Sequence, residues 1–171
     1  MRSATNRLQL MLDGLLQYSR VNQSEEFSPE LNLSKALRKA ILLAEQSNIK
    51  LSVEIPEDEN IVFKNSPDQL VFLFHEIVSN AIKFDASAIA INCKITSEII
   101  ITIQDNGIGM NTVDLPKIFK LLGKLNGRSK YDGAGLGLAI CHKIVKNHKG
   151  SIQVQSEVGI GSLFIITLPI K

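Results

Sequence analysis

An acid, an amide and an amine stand at helical spacing in Glu76-Ile77-Val78-Ser79-Asn80-Ala81-Ile82-Lys83. Residues four apart on a helix share a face, so Glu76 and Asn80 project together, with Lys83 about a turn further on. The amide oxygen of Asn80 can ligate Mg²⁺, an ion that otherwise keeps waters and phosphate oxygens. The carboxylate of Glu76 suits either holding one of those waters or taking a proton from a nucleophile. Most polar trios at this spacing are only a solvated helix face. Three glycine clusters further along turn the reading toward a magnesium–phosphate site: Asp105-Asn106-Gly107-Ile108-Gly109-Met110, Gly133-Ala134-Gly135-Leu136-Gly137-Leu138 and Gly159-Ile160-Gly161-Ser162-Leu163-Phe164. Any one alone would be weak, because Gly-x-Gly is common in turns.

Asp105 ends a predicted strand, and Gly107 and Gly109 permit positive φ and close backbone approach to a flat ligand. A buried carboxylate there could accept the N6 amino proton of adenine, whereas guanine would present a carbonyl oxygen and repel it. Read alone, the segment is equally an ordinary Asp-Asn-Gly turn. Gly133, Gly135 and Gly137 lead into a predicted helix, whose first backbone N–H groups and dipole would bind an anion. This is neither a P-loop nor a dinucleotide-binding fingerprint, since the spacing and the preceding polar loop differ. Lys117, Lys120, Lys124, Arg128 and Lys130 crowd that loop and its entry. Most such runs are solvated, and Lys124, then Arg128, are the candidates for reaching a terminal phosphate. His75, His142 and His148 are read as structural or surface residues.

These residues need elements to hold them. Residues 7–21 read as a helix with Leu8, Met11, Leu12, Leu15, Leu16 and Tyr18 in one stripe, which requires a partner in water. A polar linker and a short strand over 27–33 precede a helix from Ser34, taken as its N-cap, through Ser47. Leu51, Val53 and Ile55 alternate as a strand, and 61–64 is a second short one. Ser66-Pro67-Asp68 opens the helix that carries Glu76 and Asn80, with Asp68 near the positive end of the dipole. Strands follow at 88–95 and 99–103, a short helix at 115–122, a mobile loop at 123–132 and a helix at 136–148. The last strands are 151–156 and 163–168. The sum is an α+β two-layer sandwich, a mixed sheet with helices on one face.

The chain has 171 residues, 44% of them hydrophobic, enough for one domain with a real core. A net charge of +2 is too mild to argue for nucleic acid or an anionic membrane. No apolar run approaches the roughly 20 residues of a membrane helix, and no signal-peptide pattern opens the chain. Cys93 and Cys141 lack metal or redox spacing and read as reduced thiols in a cytoplasmic setting.

In this order, Asn80 and the three clusters resemble the N, G1, G2 and G3 boxes of the GHKL ATP-binding (Bergerat) fold. That superfamily holds sensor histidine kinases, type II topoisomerases, mismatch-repair ATPases and the heat-shock chaperone ATPase. Asn80-Ala81-Ile82-Lys83-Phe84 is close to the histidine kinases' N-box ending, and Lys117-Ile118-Phe119 resembles their F box. The stretch from Gly127 to Cys141 is similar to the lid and G2 box of phytochrome-like and hybrid kinases. Leu12-Asp13-Gly14-Leu15-Leu16-Gln17-Tyr18-Ser19-Arg20-Val21 looks like the end of the second dimerisation helix.

The resemblance implies a protein histidine kinase using ATP and Mg²⁺, with residues 1–22 a remnant of the dimerisation domain and 23–171 the catalytic domain. Asn80 would ligate the metal, Lys83 would contact phosphate, Asp105 would bind adenine with Ser162 helping through a water, and the G2 amides, Leu136 among them, would hold phosphates. Glu76 stands where many of these kinases have asparagine, and Ala134 replaces a common threonine. The implied partners are a dimerisation domain bearing the acceptor histidine and a response regulator receiver domain, in a full-length homodimer that is cytoplasmic or membrane-anchored. Two other readings stand beside it. One is a GHKL ATPase or anti-sigma-type serine kinase, which would not expect the helix at 7–21. The other is a non-catalytic nucleotide-binding signalling module, which would not need Asn80, Asp105 and the glycines intact.

Overall fold

The computed structural model describes residues 4–21, 33–56, 67–123 and 135–170. Helices α1 (Ala4–Arg20), α2 (Leu33–Gln46), α3 (Pro67–Lys83) and α4 (Gly137–Asn147) accompany strands β1 (Lys50–Glu54), β2 (Ala88–Ile95), β3 (Glu98–Asp105), β4 (Ser151–Glu157) and β5 (Gly161–Pro169). The sheet runs β1-β2-β3-β5-β4, parallel only between β1 and β2. A parallel pair needs a crossover, and α3 lies within the one joining β1 to β2.

Strand alternation makes the sheet one-sided. Ile89, Ile91 and Cys93 of β2, Ile99, Ile101 and Ile103 of β3, and Phe164, Ile166 and Leu168 of β5 are all buried. Their neighbours in sequence, such as Ala90, Lys94 and Gln104, are exposed. Side chains of period two therefore build one apolar face. Helices of period 3.6 cover it: Ala36, Leu37, Ala40 and Ala44 of α2, Leu70, Phe74, Ile77, Val78 and Ala81 of α3, and Ile140, Cys141, Ile144 and Val145 of α4 are buried in the same core. This is the mixed-sheet, two-layer α+β arrangement expected.

Several local expectations are corrected. Leu33 belongs to α2, not to a preceding strand, and is 3% exposed, so Ser34 lies inside the helix rather than at its cap. In place of a helix at 115–122 there is a 3-10 turn, Thr112–Lys117, capped by the Asn111 side chain accepting from the Val113 N–H. Pro116 inside it has no N–H to continue an α-ladder, and Leu122 then turns at φ 58°. Apart from Tyr18, the α1 stripe that requires a partner is left open, with Leu8, Leu12 and Leu16 61%, 57% and 56% exposed. Contact is made instead through Gly14, Tyr18 and Val21. The expected strand at 61–64 lies outside the described residues, as does nearly all of the loop at 123–132.

The last turn of α1 is fastened by polar side chains. Lys143 of α4 donates to the Tyr18 carbonyl at 2.6 Å and stands over the Tyr18 ring at 4.0 Å. Asn147 and Gln69 donate to the Val21 carbonyl at 3.0 and 3.2 Å. Carbonyls at a helix end have no partner within the helix, so these donors complete it.

Candidate nucleotide site

Two adjoining cavities lie beside α3 and α4, the smaller reaching the ends of β3 and β5, and Asn80 lines both. The larger is about 320 Å³ and the smaller about 40 Å³. Phe84, Met110 and Leu138 are also common to the two walls.

The small cavity ends at Asp105, Gly109 and Ser162. Strand register explains this grouping: Asp105 pairs with Ser162 across β3 and β5, and Ser162 pairs with Ser156 across β5 and β4. Burial pushes the Asp105 carboxyl above its usual range, while hydrogen bonds from the Gly107 and Ser162 backbone pull it back. The Gly107 N–H donates to Asp105 Oδ1 at 2.8 Å. Gly107 lines neither cavity; it holds the carboxylate from behind, and a side chain would meet the Phe84 carbonyl at 2.6 Å. Gly109 does line the small cavity, at φ 63°, with the Glu157 carbonyl where a β-carbon would lie. An apolar cavity lined by the acceptors Asp105 and Ser162 suits a purine carrying an amino group.

The large cavity is lined by Glu76, Asn80 and Lys83 from α3 and by Gly135, Leu136 and Gly137 at the start of α4. Their helical spacing does bring Glu76, Asn80 and Lys83 to one wall. Gly135 adopts φ 73°, and Leu136 precedes α4 with no side-chain cap. The Leu136 side chain does not cap the first N–H groups of α4, and the helix dipole makes that end attractive to an anion. Burial raises the Glu76 pKa, partly offset by His75 and Lys83. His75 Nδ1 lies 4.0 Å from Glu76 Oε1, although the two residues diverge around the helix. Lys83 Nζ sits 5.2 Å from the centre of the Phe84 ring.

Among the described residues no group of three or more His, Cys, Asp and Glu could hold a metal alone. The donors present, one amide and one carboxylate on the wall of the large cavity, fit Mg²⁺, which keeps most of its shell for water and phosphate. Lys124, Arg128 and Gly133 lie outside the described residues. Lys117 is engaged by Asp114 at 3.2 Å. His148 is buried, with Nδ1 at 2.8 Å from the Ile144 carbonyl, and His142 stacks near Phe119 at 5.6 Å between ring centres.

Sequence reasoning missed Ser156, whose hydroxyl accepts from the Met110 N–H at 2.8 Å and donates to the Gly161 carbonyl at 2.7 Å. It also missed that α1 contributes Leu10, Asp13, Gly14 and Gln17 to the large cavity. Neither carries a local signal; each depends on which elements become neighbours.

The family model for the histidine kinase-, DNA gyrase B- and HSP90-like ATPases matches residues 65–171, and the chain belongs to that family. It is 34% identical over 167 residues to cyanobacterial phytochrome A of Nostoc sp., covering 95% of this chain and 22% of that protein. It is 38% identical over 133 residues to the sensor histidine kinase RppB of Synechocystis sp., covering 75% of this chain and 29% of that one. The full-length ShkA structure in complex with AMPPNP shares the fold at a TM-score of 0.76 and 20% identity, covering 96% of this chain and 36% of ShkA. The chain therefore spans about a fifth to a third of the length of these curated relatives.

Proposed function

We propose that this chain is the ATP–Mg²⁺-binding catalytic domain of a two-component sensor histidine kinase, which transfers the γ-phosphoryl group of ATP to a histidine on a dimerisation domain. The observation that carries the reading is the pair of cavities joined at Asn80, with Asp105 closing one and the α4 amides opening on the other. Adenine would occupy the small cavity, its amino group toward Asp105 and Ser162. The triphosphate would lie along Lys83 and the N–H groups that start α4, and Asn80 would ligate Mg²⁺. Lys124, Arg128 and Gly133 would complete the phosphate end. Phosphoryl transfer is mostly positioning and charge stabilisation, so this arrangement supplies what the reaction needs. Glu76 would hold a metal-bound water or take the proton of the nucleophile.

The name of the relative at 38% identity, a sensor histidine kinase, supports the same reading. In it, residues 1–22 are the end of a dimerisation helix, and the exposed Leu8, Leu12 and Leu16 are the face a bundle would cover. A response regulator receiver domain would accept the phosphoryl group next, in the cytoplasm. No helix among the described residues is long and apolar enough to cross a membrane.

Calorimetric titration with ATP–Mg²⁺, followed by labelling of a supplied dimerisation domain, tests the proposal. Acid-labile phosphohistidine is expected on that domain, none on this chain alone, and none at all with Asn80→Ala. Acid-stable phosphoserine on a supplied protein would overturn it in favour of a serine kinase.

A further inference from the structure

Three side chains form a row across three strands: Asp105 on β3, Ser162 on β5 and Ser156 on β4. The first two line the small cavity, and Ser156 lies behind them. A serine hydroxyl has one proton to donate and two lone pairs to accept with. Ser156 Oγ gives its proton to the Gly161 carbonyl at 2.7 Å and accepts from the Met110 N–H at 2.8 Å. Its remaining capacity is one lone pair, and Ser162 Oγ stands 3.0 Å away. Only Ser162 has a proton left for that contact. Ser162 must therefore donate backward to Ser156, which leaves it nothing to donate into the cavity.

We propose that Ser156 is a positioning residue that sets purine choice by holding the Ser162 hydroxyl as a pure acceptor beside the Asp105 carboxylate. The inference rests on the reading that a nucleotide base fills the small cavity. Two acceptors at its end then match the exocyclic amino group of adenine, directly or through one donating water. Guanine would bring a third acceptor, its carbonyl oxygen, to the same place. The notion that Asp105 alone repels guanine is thereby extended: without Ser156, the Ser162 proton would be free to rotate toward that carbonyl and stabilise it.

The test is equilibrium titration of the purified chain with Mg²⁺-ATP and Mg²⁺-GTP. Wild type should prefer ATP. Ser156→Ala should reduce the ATP-to-GTP affinity ratio about three- to tenfold, the range one neutral hydrogen bond carries, and Ser156→Thr, which keeps the hydroxyl, should retain it. An unchanged ratio in Ser156→Ala, or an equal loss in Ser156→Thr, overturns the inference while leaving the nucleotide site standing. Wild type binding neither purine would overturn the site itself and this inference with it. Should Ser156→Ala fail to fold, Ser162→Ala carries the same question. It should weaken ATP more than the purine triphosphate lacking the amino group, and equal weakening of both would overturn the acceptor assignment.

Discussion

Gly137 stands against Glu76 so closely that a β-carbon on it would overlap the Oε2 atom of the carboxylate. The first residue of α4 thus touches the acid of α3, and the two walls of the large cavity meet at that contact. Glycine is otherwise a poor choice here, since alanine is favoured in helices by about 1 kcal/mol.

Gly137→Ala should displace the Glu76 carboxylate, and because that atom ends a flexible side chain the cost to the fold should be small, about 1 kcal/mol or less. In a Glu76→Ala background the cost should vanish, because the colliding carboxylate is gone. Denaturant unfolding of the two single variants and the double variant measures the coupling. Additive effects would mean that the contact does not constrain α4.

Asp105→Asn should weaken ATP binding at least about tenfold, because it replaces a charged acceptor whose hydrogen bond is worth about 1.5–3 kcal/mol. The amide can also turn a donor toward the base. Titration calorimetry checks this, and unchanged affinity would remove Asp105 from the base pocket.

Glu76→Gln should separate stability from activity. Burial raises the Glu76 pKa above its unfolded value, so the folded state holds that proton more tightly. Its contribution then favours folding below the unfolded value near 4.5 and is lost as pH rises through the raised folded value. The neutral amide avoids that loss. The melting temperature of Glu76→Gln should exceed that of wild type at pH 7, and the gap should close toward pH 4. Phosphoryl transfer should meanwhile slow by about 10²–10⁴ if Glu76 is the base, and less if it only orders a water. Melts across that pH range and single-turnover assays at pH 7 provide both readouts.

Lys143→Met should release the end of α1. It removes the 2.6 Å hydrogen bond to the Tyr18 carbonyl and the cation above the Tyr18 ring, while keeping most of the apolar stem. These contacts together are worth about 1–2 kcal/mol. Amide exchange at residues 15–21 should accelerate several-fold with α3 and α4 protection unchanged. Unchanged exchange in α1 would show that Asn147 and Gln69 suffice to fasten it.

The periods of the chain carried its architecture. Helical spacing through Leu70, Phe74, Ile77 and Val78 determines which face of α3 is buried, because a sheet and its helices must bury their apolar faces against each other. The same local geometry placed Glu76, Asn80 and Lys83 on one wall of the cavity, since helix spacing alone decides that. The α1 stripe shows only that a partner is needed, without naming it, and α1 meets the rest of the domain through Gly14, Tyr18 and Val21. Only the tertiary structure decided the row Asp105, Ser162 and Ser156, because it follows from the pairing register of β3, β5 and β4, and β3 lies far from the other two in sequence. The same holds for Gly137 against Glu76, where α4 meets α3. Spacing within one element is written in the chain, whereas contact between elements depends on how their buried faces pack.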